Sequence, residues 1–135
     1  MRFPFLASTM LALAACSGSE SIEQSENAID VFHQQLNQGA FDTIYATASP
    51  KFRAVATGPD FTKFMTAVHT KLGAYEHGKN EGWRVNYNTS GNNVVVQYKS
   101  HFTKGDAVET FTFDMGKPKP KMIGYNINSP TLITG

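Results

Sequence analysis

The chain has one cysteine, one tryptophan and almost no net charge: 12 Lys and Arg stand against 11 Asp and Glu, giving +1 with His neutral. A single thiol excludes an intramolecular disulfide, so the fold must hold on packing alone. Balanced charge excludes the basic surface that nucleic acid or an anionic bilayer would need as principal partner. The histidines, at positions 33, 69, 77 and 101, show no metal-ligand spacing, so no metal is expected. No cofactor motif is present, and no nucleophile stands at a defined spacing from a base, so no cofactor is expected either. No apolar run reaches the ~20 residues of a permanent membrane-spanning helix.

What the chain does have begins at its N-terminus. Arg2 precedes a short apolar stretch, Phe3 to Ala15, which closes on Leu13-Ala14-Ala15-Cys16. The length and the small residues before Cys16 fit a signal peptide rather than a membrane span. Past it, Ser17-Gly18-Ser19-Glu20-Ser21 reads as a polar tether. The expected division is a leader over 1–15, the cysteine and tether over 16–22, and one α+β domain over 23–135. That length can bury about two-thirds of its surface, with ten Phe and five Tyr to fill a core.

Apolar spacing predicts helices first. Ala28, Ile29, Phe32 and Leu36 share a helical face, with Gly39 as a stop. Phe41, Ile44, Tyr45 and Ala48 predict a short second helix ending at Ser49-Pro50. Phe61, Phe64, Met65, Val68 and Leu72 predict a third, with Asp60 as N-cap and Gly73 as closure. After Gly82 the period becomes two. Trp83-Val85-Tyr87, Val94-Val96-Tyr98-Phe102, Phe111-Phe113-Met115 and Ile123-Tyr125-Ile127 predict four strands, with turns at Ser90–Asn93 and Lys104–Asp106 and a loop over Gly116–Pro120. Helices followed by a meander mean α+β: N-terminal helices packed on a curved four-stranded antiparallel sheet.

Two resemblances follow from these residues. Leu13-Ala14-Ala15-Cys16 resembles the lipobox of bacterial lipoproteins. That resemblance implies cleavage before Cys16, acylation of its sulfur, and a membrane anchor. Ser17, in place of an aspartate, favours the periplasmic face of the outer membrane. The element order, with its last strand Gly124-Tyr125-Asn126-Ile127, resembles the cystatin-like and NTF2-like folds of small periplasmic proteins. Enzymes of the NTF2-like group carry extra sheet elements between their helices. Ser49 to Gly58 leaves little room for these, so a deep pocket is not expected.

Three side chains are weak catalytic candidates. Glu109 has the parity of Phe111 and Phe113 and so faces the core. It reads either as a general base in a pocket or as a strand-end group reaching solvent or a helix terminus. His33 and His69 border apolar helical faces and would approach Glu109 if their helices pack together; the plainer reading is two boundary histidines. On the opposite sheet face, Arg84, Asn86, Asn88, Gln97, Lys99, His101, Thr103, Thr110 and Thr112 share the outward parity. Simple solvation explains such a face; as a docking surface it would use Arg84, Lys99 and His101. Trp83 reads as core or sheet-edge cover.

The leading expectation is a lipid-anchored, non-catalytic interaction protein with a protein partner. One concrete version is an immunity protein against a secreted toxin. The alternatives are an NTF2-like small-molecule binder or enzyme using Glu109 with His33 or His69, and an accessory subunit of an outer-membrane envelope complex.

Overall fold

Helices fill the first half of the described chain and strands the second, as the change of period predicts. The structure, a computed structural model, describes residues 17–89, 91–116 and 119–134. The lipobox through Cys16 and part of the basic loop, Lys117 and Pro118, lie outside the described residues. The helices are α1 (Ser17–Asn37), α2 (Phe41–Thr47), α3 (Pro50–Val55) and α4 (Gly58–Leu72). They are followed by β1 (Tyr75–Asn88), β2 (Gly91–Phe102), β3 (Gly105–Asp114), β4 (Lys121–Asn128) and a short α5 (Pro130–Thr134). The strands form one antiparallel sheet in the order β1-β2-β3-β4, so β1 and β4 are its edges. The fold is α+β, helices over an open antiparallel meander. No helix among the described residues is long and apolar enough to cross a membrane.

The core lies between one sheet face and the helices. Ile29, Phe32 and Leu36 of α1, and Phe61, Met65, Val68 and Leu72 of α4, meet Val94, Val96, Phe102, Phe111 and Phe113 of the sheet. At ~25 cal/mol per Å² of apolar surface, this burial is the main term opposing chain entropy.

Several boundaries differ from the sequence expectation, each for a local reason. The run expected as a tether lies inside α1, which starts at Ser17 and has Glu20 in its favourable first turn. Pro50 ends α2 and also starts α3: Ser49 Oγ accepts from the Lys51 amide at 3.2 Å, and proline fits a first helical turn. Arg53 of α3 donates to the carbonyls of Ala46 and Ala48, closing the end of α2. The N-cap of α4 is Thr57, whose hydroxyl accepts from the Asp60 amide at 3.3 Å; Asp60 sits in the first turn. In β4 a bulge opposite Thr112–Phe113 places Met122, rather than Ile123, against Phe113, and Met122 is buried. Trp83 is 51 % exposed on edge strand β1, opposite the buried Val96, which fits the sheet-edge reading and not the core one.

Candidate functional site

Glu109 sits inside the molecule on β3, opposite Tyr98 of β2 and Ile127 of β4, with no exposed surface. Burying a carboxylate is costly unless donors replace its water. Three do. His33 Nε2 and Ser100 Oγ reach Oε1 at 2.7 and 2.5 Å, and the Tyr125 hydroxyl donates to Oε2 at 2.5 Å. α1 delivers His33 because its spacing from Ile29 and Leu36 puts it on the buried face. The imidazole lies flat on Tyr75, ring centres 3.5 Å apart and planes 4° from parallel. Phe32 and Phe111 meet its ring edge-on at 5.7 and 5.9 Å. With the proton on Nε2, Nδ1 is a bare acceptor, and among the described residues it has no hydrogen-bond partner.

Burial and the neighbouring Glu109 carboxylate push the Tyr125 phenol well above its ordinary range. Tyr75 is pushed up to about 12, by burial first and then by Tyr98, Glu109 and Asp30. Tyr125 therefore keeps its proton, and its donor role, far above neutral pH.

The geometry unites Glu109 with His33, as one reading of the sequence required, but encloses both. Glu109 does not reach solvent or a helix terminus from a strand end, which corrects the plainer expectation. Both of its oxygens are engaged, and it lines neither the hollow on the outward sheet face nor the groove between α1 and α2. His69 is not part of the group. It lies against Phe41, ring centres 6.3 Å apart.

The outward sheet face carries a second arrangement. Two pairs face each other in successive outward-facing rows of the β1–β2 ladder, with Gly78–Ser100 between them: Lys79 opposite Lys99, and His77 opposite His101. The two imidazoles stack at 4.9 Å. Asp106 extends the second row onto β3 and bonds His101 Nδ1 through Oδ1. The group frames a shallow hollow of about 390 Å³. The Asp106 hydrogen bond raises the His101 pKa against an opposing desolvation, and the same bond lowers that of Asp106. Lys99 and His101 are thus neighbours on the outward face. Arg84 is not with them; it pairs with Val95, four residues from Lys99, or roughly 13 Å at ~3.3 Å per residue. Thr103 leaves the face, sitting beyond β2 with its hydroxyl turned to the Leu72 carbonyl at 3.5 Å. The apolar alternation that marks β1 starts only at Trp83, so His77 and Lys79 fall outside the strand the sequence predicts. A signal existed: a hairpin turning near Ser90 must match a β2 reaching Phe102 with an equally long β1.

A third feature is an open groove of about 720 Å³ between α1 and α2, floored by β3 and β4. Its sides are mainly apolar, including Val31, Phe32, Ile44, Phe113 and Met122. Among the described residues no group of His, Asp and Glu is arranged to hold a metal ion. No protein-family model and no curated protein matches this chain.

Proposed function

We propose that this protein is a lipid-anchored, non-catalytic binding protein of the bacterial envelope that docks an acidic protein partner on the outward face of its sheet. The observation that carries this reading is the pair of opposed basic rows, Lys79–Lys99 and His77–His101. Lys79 and Lys99 are like charges directly opposite each other, which destabilises a sheet. In a chain of almost balanced charge, such a patch is a local feature, and an acidic partner relieves it. The anchor reading rests on Leu13-Ala14-Ala15-Cys16. Glu109 supports the non-catalytic reading, because its three donors leave it a structural acceptor. An immunity protein on the periplasmic face of the outer membrane is the concrete version.

The test is affinity purification with the full chain from envelope and secreted fractions, followed by titration of any stoichiometric partner. Lys99→Glu/His101→Glu is expected to weaken binding at least tenfold, and Arg84→Glu by less. Binding should also fall as pH rises through the elevated His101 pKa, since the protonated imidazole is the form that attracts acid. His77, Lys99, Asp106 and Glu76 share that field, and Asp106→Asn should move the midpoint down. A secreted hydrolase as partner supports immunity; a resident envelope complex supports an accessory subunit. A partner indifferent to the charge reversal, or no partner at all, overturns the docking face.

A further inference from the structure

The groove between α1 and α2 is separate from the outward sheet face, and its floor is built from core residues such as Phe32, Phe113 and Met122. We infer that it is a binding site for a single-chain amphiphile with an anionic head, the acyl chain lying along the apolar floor and the head between Lys119 and Lys121.

Three observations carry this. First, the shape: about 720 Å³ falls in the range of small-molecule sites, and the groove is open along its length rather than closed as a ball. Val31 on α1 is 49 % exposed, an aliphatic side chain left in water at its edge, and Ile44 and Met122 line it deeper. A flexible chain fits such a trough, and each buried CH₂ strengthens binding. Second, the charge: among the described residues that line it, the two charged ones are positive, Lys119 and Lys121, and both come from the segment entering β4. Asp114, which faces Lys121 across the ladder, is engaged by Lys51 at 3.4 Å. The remaining polar lining is amide or hydroxyl and carries no charge to repel an anionic head. Third, the position: Gln24 of α1 lines the groove seven residues after Ser17, or ~10 Å along a helix axis. A chain acylated at Cys16 would hold the groove beside the membrane surface, where such amphiphiles are found. This third point rests on the anchor reading; the first two do not.

The experiment is isothermal titration of the full chain carrying Cys16→Ser, which cannot be acylated, with octanoate, decanoate, laurate, uncharged dodecanol and lysophosphatidylglycerol. Affinity should rise several-fold for each two-carbon extension. Laurate should bind at least fivefold tighter than dodecanol, and Lys119→Glu/Lys121→Glu should remove that difference. Val31→Glu and Ala46→Trp change exposed positions, so they should fold normally, as circular dichroism would show, and bind laurate at least tenfold more weakly. Absence of laurate binding, or binding that ignores these variants, overturns the site. So does flotation on phosphatidylglycerol vesicles without monomer binding, which would mean surface adsorption. Self-association of the parent chain that Val31→Glu abolishes would make the groove an interface between copies, and also overturns it. Because the titration needs neither anchor nor protein partner, its failure leaves the docking reading standing, and the reverse.

Discussion

At the scale of single residues, the most informative group is Glu109 with its three donors. Its value lies in the asymmetry between keeping and breaking it. A buried carboxylate stripped of partners is expensive, and partners stripped of their carboxylate are nearly so. Glu109→Ala would leave the Ser100 and Tyr125 hydroxyls and His33 Nε2 facing a cavity. We expect a loss of about 3–5 kcal/mol in urea unfolding, with an unchanged slope. Glu109→Gln keeps the volume but turns one acceptor into a donor that faces another donor. It should lie between the parent and Glu109→Ala, about 1–3 kcal/mol down. If both variants unfold within ~0.5 kcal/mol of the parent, the group is not structural, and a catalytic use of Glu109 returns. Parity along β3 was enough to place this carboxylate inward. What parity could not supply was depth. Whether an inward group meets water or three donors depends on which helix crosses it and where Tyr125 falls on β4. Both are tertiary facts set by packing.

At the scale of elements, the apolar stripes of α1, α2 and α4 and the alternating runs of β2 and β3 were legible because they bury one face each. The misread segments share one property: their residues follow no burial rhythm. Residues 76–82, Glu-His-Gly-Lys-Asn-Glu-Gly, hold no aliphatic side chain, yet they pair as β1 because β2 offers a complementary edge. α3 was hidden by Pro50, which signals an end to the preceding helix and a start to the next with equal force. Gly73 closes α4, as the sequence predicts, and the structure adds a second reason for a glycine there. Its φ of +76° suits a residue without Cβ, and a Cβ there would run into Thr103 Oγ1. The end of α4 is also stitched to the β2–β3 turn: the Thr103 and Lys104 amides donate to Ala74 and Leu72, both at 2.9 Å. Gly73→Ala should therefore cost about 2–4 kcal/mol, more than the ~1 kcal/mol of positive φ alone. Adding Thr103→Ala should restore the steric part and leave the conformational part. Thermal unfolding of the two single variants and the double gives that coupling directly. Purely additive losses would mean that the turn moves aside and the contact does not restrain the helix end.

At the scale of the molecule, the helices do not support the sheet evenly. The first half of β1 is held from both sides. Its ladder with β2 is reinforced by α1, through His33 stacked on Tyr75, through the Asn37 side chain exchanging two hydrogen bonds with the Tyr75 backbone, and through Asn80 donating to Glu26 at 3.2 Å. The second half, Trp83 to Asn88, has a strand on one side only; Trp83 and Tyr87 are 51 % and 67 % exposed. Of its apolar residues Val85 packs against the core, and an edge segment so thinly covered opens more readily than the sheet behind it. β2 and β3 are flanked on both sides and carry Val94, Val96 and Phe111, none of them exposed. Amide hydrogen exchange should therefore separate two levels. The amides of Val96, Tyr98 and Phe111 should exchange only by global unfolding, and their rates should track urea stability. The amides of Trp83 to Asn88 should exchange through a cheaper local opening that hardly responds to urea. Both basic rows of the outward face lie on the α1-supported half of β1, so the docking surface would persist while the tip of the hairpin frays. Exchange of the tip at the same rate as β2, with the same urea dependence, would refute this division and make the whole sheet one cooperative unit.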